Sequence, residues 1–378
     1  MLKLETRPQP SATMSFCSPL LALAITCVIG LSLFWLLGKD PLAGLKVFFV
    51  EPVKNAYALS ELGVKAVPLV LIALGLSVCF RSNVWNIGAE GQFILGAIFG
   101  GGVAMRATEH SSGLIVLWIL LAGVVGGMLW AGVVALLRDR FNANEILVSL
   151  MLVYVAELLL SYLVYGPWKD PNGYNFPQTI TFLEPTKIPR LFRGYRSDLG
   201  ILIALAAVGG VWLLVFRSYA GYQLQVGGLA PAAARYAGFS SRRALWTALL
   251  ISGGTAGLAG ALEAAGPLGQ LTPHVPAGYG FAAIIVAFVG RLHPFGIVFS
   301  AVLMSMFYIG GELAQSRLGL PKALTGVFQG LLLFALLACD TLIYYRPRWA
   351  PRLPARPAAG ASPAAPVGKT SVETQESA

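Results

Sequence analysis

Apolar runs of roughly 20 residues recur along the chain, separated by short clusters of Arg, Gly, Pro and Asn, and such a run covers a bilayer core of about 30 Å as a helix rising about 1.5 Å per residue. The pattern predicts full spans over residues 19–37, 66–80, 113–137, 146–165, 199–216, 248–264, 297–311 and 324–344. Two further stretches fit less well, because 88–105 is interrupted by Glu90 and Gln92 and 280–290 is too short to cross alone. Those two read as broken or re-entrant helices, which a membrane tolerates only where protein or a wet cavity covers the backbone. The expected fold is therefore an all-α polytopic integral membrane protein of about ten helices, an arrangement that an inverted repeat would accommodate. The first run exceeds the apolar core of a signal peptide and no A-x-A site follows it, so it is expected to remain as the first helix.

Composition supports this reading. Of 378 residues 56% are hydrophobic and only 12% charged, about half the usual share of roughly 25%, which excludes an ordinary soluble enzyme. The formal charge of +10 is spread between the apolar runs instead of forming one patch, so it reads as a topology signal and no nucleic-acid partner is expected. The connection 217–243 carries four Arg and no acid, which the positive-inside rule places in the cytoplasm together with both termini. The domain reading is a cytoplasmic segment 1–17, a transmembrane domain 18–345 with an outer loop 166–198 and a cytoplasmic connection 217–246, and a Pro-, Ala- and Ser-rich tail 346–378 expected to be disordered.

Chemistry is sparse. Cys17, Cys27, Cys79 and Cys339 and the three histidines His110, His274 and His293 lack metal-ligand spacing, so no metal and no bound cofactor are expected. Gly368-Lys369-Thr370 imitates the end of a phosphate loop, but Pro363 stands where its first glycine is required, so any ATPase must be another chain. No catalytic constellation is present, and an enzyme is not expected.

The informative residues are polar ones inside apolar spans, where a carboxylate needs a partner, water or neutralisation. Glu90, Glu157 and Glu263 meet that description, while Asp340, near a helix end, is expected to reach water or Arg346. Around Glu90, the run from Trp85 to Gln92 offers a stacking plane in Trp85 and hydrogen-bonding groups in Asn86, Glu90 and Gln92, which suit either a solute pathway or helix stitching. Small residues three and four apart between Ser252 and Glu263 suit close helix packing, with Glu263 emerging at the end of that helix. On the basic side, the segment from Gly221 reads as a loop, followed by a short surface helix that Pro231 opens and Gly238 stops. By geometry that helix is a docking element or an inert interfacial turn.

Several short motifs occur in order: Ser60-Glu61, Ala66-Val67-Pro68-Leu69, Phe80-Arg81, the run from Asn86 to Gln92, Asn144-Glu145-Ile146-Leu147, Gly166-Pro167-Trp168-Lys169-Asp170-Pro171, Gly278-Tyr279-Gly280-Phe281, Val289-Gly290-Arg291 and Pro294-Phe295-Gly296-Ile297. On these the chain resembles permease subunits of ABC importers of the branched-chain amino acid and ribose type, and within them the nucleoside-type branch that works with lipoprotein receptors of the basic membrane protein class. The resemblance implies a bacterial inner-membrane subunit that partners an ABC ATPase, a lipoprotein or periplasmic solute receptor and a second, homologous or identical permease. It implies a nucleoside as cargo, with a pentose or simple-sugar permease, or an ion-coupled carrier using Glu90, Glu157 and Glu263, as alternatives. It further implies that Pro231, Ala234, Arg235, Tyr236 and Gly238 form a coupling helix for the ATPase, although Ala230 replaces a capping Asn and Gln225 an Arg common in the family. Trp85, Asn86, Glu90, Gln92 and Glu263 are then candidates for the pathway or its supports, and Trp168, Lys169, Asp170 and Tyr174 for the receptor-facing surface.

Overall fold

A computed structural model describes residues 2–7, 11–192, 194–321 and 323–349. The helices are α1 (Ala12–Leu36), α2 (Pro41–Phe49), α3 (Ala56–Arg81), α4 (Ala89–Ala104), α5 (Ile115–Phe141), α6 (Glu145–Tyr165), α7 (Gly200–Arg217), α8 (Tyr219–Leu229), α9 (Pro231–Tyr236), α10 (Ser241–Glu263), α11 (Tyr279–Val289), α12 (Pro294–Leu318) and α13 (Ala323–Tyr344). Among the described residues, eight helical segments are long and apolar enough to cross a membrane, and they correspond one for one to the eight predicted full spans. The two doubtful stretches are α4, with 16 residues, and α11, with 11.

Most helices run past the hydropathy windows that predicted them. Helix α3 begins at Ala56, because the Asn55 side chain accepts from the Ala58 N–H at 2.7 Å, and it carries Lys65 within its length. Between Leu69 and Cys79 every side chain of α3 is buried, as expected of a helix apolar on all faces that sits at the centre of a bundle. Helices α4, α5 and α10 pack around one another at glycines. A Cβ on Gly96 of α4 would meet the Gly257 carbonyl oxygen of α10 at 2.1 Å, and one on Gly257 would meet the Gly123 oxygen of α5 at 2.2 Å. The small-residue spacing of 252–263 thus serves the close backbone approach expected of it.

Three features differ from expectation. The segment beginning at Gly221 is not a loop but the body of α8, which the Ser218 hydroxyl caps by accepting from the Gly221 N–H at 3.0 Å. Its glycines serve packing: a Cβ at Gly228 would lie 2.2 Å from the Arg81 carbonyl oxygen. Asp340 does not simply reach water, since both its carboxylate oxygens accept from Arg291 at 2.8 Å and the Ser18 hydroxyl donates to it as well. Finally, α1 starts inside the segment 1–17, and residues 346–349, expected to be disordered, belong to strand β2 (Tyr345–Trp349), which pairs antiparallel with β1 (Leu2–Thr6). Helices α1 and α13 lie side by side, with the Ser11 N–H donating to the Ile343 carbonyl oxygen at 3.1 Å, and so bring the two flanking segments into register. The rest of the expected tail, 350–378 with Gly368-Lys369-Thr370, lies outside the described residues.

Candidate functional site

The bundle is interrupted between α10 and α11. Helix α10 passes into a π-helical turn at Ala264–Leu268, which contains Pro267, Gly269 then adopts φ +65°, and irregular backbone continues to Gly278 at φ +78°. Segment 166–198 covers this break. Thr179 N–H donates to the Leu271 carbonyl at 3.0 Å, the Leu271 N–H returns a bond to the Thr179 hydroxyl at 2.9 Å, and Phe182 and Ile188 N–H groups donate to the Gly269 and Ala265 carbonyls at 2.8 and 3.1 Å. Non-helical backbone at membrane depth needs this kind of protein cover. The 11 residues of α11 rise about 16 Å, half of a hydrocarbon layer, so its N-terminus lies well inside the bundle.

At that N-terminus stands Glu90, in the first turn of α4, almost completely buried. Its carboxylate accepts from the Gly278 N–H at 2.9 Å and from the Gly280 N–H. One side chain therefore closes the exposed donors of α11 while sitting at the positive end of its own helix, a double use of helix-terminal charge. Only glycine fits at position 280, because a Cβ there would lie 2.3 Å from the Glu90 nitrogen. Glu157, half-buried on α6, adds a like charge near Glu90.

The other candidates divide into groups. Asn86 and Gln92 are fully buried and bonded to each other twice, Nδ2 to Oε1 at 2.9 Å and Nε2 to Oδ1 at 3.1 Å, while Asn86 also donates to the Ser252 hydroxyl at 3.0 Å. Their groups hold α4 to α10. Trp85 is partly exposed and packs against Phe80 and Phe288 at centroid distances of 5.3 and 6.4 Å, at the end of α3. Glu263 is buried at the end of α10, where Lys65 and Arg196 face it with opposite charge and Asp198 and Glu312 with like charge.

That neighbourhood exposes a polar group that sequence reasoning missed. Lys65 Nζ donates to the Tyr279 hydroxyl at 3.2 Å and pairs with Glu312 at 3.4 Å. Tyr279, the first residue of α11, packs against Phe93 and Tyr308, whose hydroxyl donates to the Ala277 carbonyl at 3.2 Å. Beside them a cavity of about 510 Å³ opens between α11, α12 and α13, with Tyr308, Glu312, Thr325 and Gln329 as its polar lining. The available signal was the charge of Lys65 and Glu312, each standing one residue outside a predicted apolar window.

On the loop face, Tyr174 is 94% exposed and Phe176 and Phe192 stand out beside it, whereas Trp168 packs on Gly102 and Lys169 bonds Asn175. The Asp170 Oδ1 accepts from the Asn172 N–H at 2.9 Å and shapes the turn that presents Tyr174. Burial pushes the Asp198 carboxyl above the ordinary range, although the Gly200 N–H donates to it at 3.0 Å. On the opposite face, α9 projects with Tyr236 98% exposed and Arg235 beside it, while Ala234 is buried and Gly238 ends the element at φ +78°. No side chain caps α9 at Ala230, and Gln225 ties α8 to the ends of α7 and α3 through Val215 O at 2.7 Å and Arg81 at 3.3 Å. A cavity of about 380 Å³ lies beneath α9, between α8 and α10.

Residues 58–337 match the family described as branched-chain amino acid transport system / permease component. The glucose ABC transporter permease protein TsgB13 of Haloferax volcanii is 32% identical, over 91% of this chain and 93% of its own length. The guanosine ABC transporter permease protein NupP of Bacillus subtilis is 28% identical over 82% of this chain and 89% of its own, and the nucleoside ABC transporter permease protein NupB of Lactococcus lactis 23% identical over 84% and 89%.

Proposed function

The chain belongs to the branched-chain amino acid transport system permease family, and from that premise we propose that it moves a sugar-containing solute, a nucleoside first, into the cell for a separate ABC ATPase. It is a membrane permease and not an enzyme. Membership favours ATP-coupled transport over the ion-coupled carrier reading of Glu90, Glu157 and Glu263. The observation that carries the mechanism is the interrupted α10–α11 unit, with the N-termini of α4 and α11 meeting at Glu90 beside a polar-lined cavity. Half-helices that begin within a bundle are the parts transporters use to line a central site and to move against the rest.

In this reading Glu90 holds the two half-helices in register, Asn86 and Gln92 brace α4 on α10, and Glu263 with Lys65 lies on the approach from the loop face. Exposed Tyr174, Phe176 and Phe192 dock the solute receptor, consistent with the weight aromatic anchors carry in interfaces. The face bearing α9 is cytoplasmic, and Arg235 and Tyr236 enter the ATPase. Two permease chains enclose the pathway. ATP-driven closure pulls α9 and switches access from one face to the other. A simple sugar is the second reading, favoured by the glucose-named relative.

The test is uptake by the chain reconstituted with its ATPase and receptor, offering guanosine against glucose. ATP-dependent uptake of guanosine supports the nucleoside reading, and glucose uptake alone moves the assignment to sugars. Uptake that persists with a hydrolysis-deficient ATPase but collapses with the proton gradient would sink both.

A further inference from the structure

We propose that the chamber between α11, α12 and α13 is where this subunit holds the sugar ring of its solute, with Glu312 accepting from neighbouring hydroxyls and Gln329 forming the polar wall beside it. The inference rests on the transport reading above and adds the contacts that would recognise the cargo.

The chamber has the size and make-up of a small-molecule site. Its roughly 510 Å³ lies within the range of about 300–1,000 Å³ common for such sites, mostly apolar with a few convergent polar groups. Phe281, Ile285 and Leu333 supply apolar wall, while Glu312 and Gln329 stand together on the facing helices α12 and α13. Glu312 is half exposed although it sits on a membrane-spanning helix, which is costly unless the space before it is wet or filled by a polar partner. Its ion pair to Lys65 at 3.4 Å, the one it forms among the described residues, leaves carboxylate lone pairs for further donors. Gln329 lines the chamber next to the Tyr308 hydroxyl, with its Nε2 enclosed by protein, and so gives the α13 wall a polar side chain beside Glu312. The α13 wall is also kept open, since a Cβ on Gly326 or Gly330 would meet nothing within 4 Å.

These demands select a ligand class. An acceptor-only carboxylate with lone pairs to spare matches a vicinal diol, which gives two hydroxyl donors. The Lys65–Glu312 pair is close to neutral as a unit, which favours an uncharged solute. The apolar wall with the Phe281 ring suits a flat attached group such as a base, or the apolar face of the ring itself.

The assembled transporter supplies the test. Gln329→Cys is labelled with a maleimide, and the rate is compared with the parent chain, whose own cysteines are Cys17, Cys27, Cys79 and Cys339. Gly326→Cys on the open wall is a second reporter should the first not assemble. The expected result is that guanosine or glucose, whichever the preparation transports, slows labelling about tenfold, that the 2′,3′-dideoxy or deoxy analogue protects far less, and that adding Glu312→Gln removes the protection and raises the uptake KM about tenfold. Labelling unaffected by a solute that the same preparation transports overturns the chamber assignment and leaves the transport reading intact. A reporter blocked before solute is added also overturns it, by showing that the second permease subunit fills the space. Uptake of neither solute rejects the transport reading and the sugar site with it.

Discussion

Removing the Glu90 carboxylate is the perturbation whose size follows most directly from the structure. In Glu90→Ala the Gly278 and Gly280 N–H groups lose their acceptor, Gly280 in a buried position and Gly278 at the edge of the cavity. A buried donor left unpaired costs about 1–3 kcal/mol, so two cost about 2–6 kcal/mol. Relief from burying the carboxylate offsets part of this, and the lower end, about 2–3 kcal/mol, is the expected net loss. That corresponds to roughly a thirtyfold to 150-fold shift in the folded ratio. Glu90→Gln keeps one acceptor oxygen but turns an amide donor toward the second N–H, so it should lose about half as much. The assay is thermal unfolding of the detergent-solubilised chain, with ATP-dependent uptake measured on the same variants. The expected order of stability is wild type, Gln, then Ala, with uptake following it. An alanine variant that unfolds at the wild-type temperature would refute the claim that this carboxylate closes the α11 terminus.

Gly257→Val should fail at assembly, because its Cβ would stand 2.2 Å from the Gly123 oxygen; recovery of monodisperse protein after detergent extraction reads this, and normal recovery would contradict the glycine-packed core. Arg291→Ala removes both guanidinium bonds to Asp340, and a loss of about 1–3 kcal/mol is expected by thermal unfolding, with Asp340→Asn in the same chain recovering part of it. Tyr236→Ala and Arg235→Ala should unfold like wild type, since both residues are exposed, yet lower solute-stimulated ATP hydrolysis of the assembled transporter several-fold. Because the folded Asp198 carboxyl titrates above its unfolded value, its contribution to stability is present below the ordinary carboxylate range and is lost as pH rises through the raised one; Asp198→Asn should flatten that part of a stability-versus-pH curve, and an unchanged slope would assign it elsewhere.

Much of this architecture was legible in the chain. Runs of apolar residues marked the eight long helices, and the polar interruption at Glu90 and the shortness of 280–290 marked the two half-helices. The small-residue spacing before Glu263 carried its packing role openly, because close approach leaves few residue types to choose from. What hydropathy hid lies where charge and span overlap. Lys65 and Glu312 each ended a predicted window, although both α3 and α12 continue through them, and the pair they form is visible only once two helices are side by side. Asp340 was placed near water for the same reason, since its partner Arg291 is distant in sequence and belongs to another helix connection. Glycine misled at 221 and 228, where it reads as loop in one dimension and as close helix packing in three.

The meeting of two helix starts at one carboxylate also sets the electrical character of the membrane's interior. Each α-helix places about half a positive elementary charge at its N-terminus, so α4 and α11 together present roughly one, and the Glu90 carboxyl oxygens stand where both starts meet. Donors left bare in such a region would be expensive. Where helix starts point bare at a cavity they draw in phosphates and carboxylates. Here those donors are already met from within the chain by Glu90, so an anionic group would find no bare helix start at this crossing.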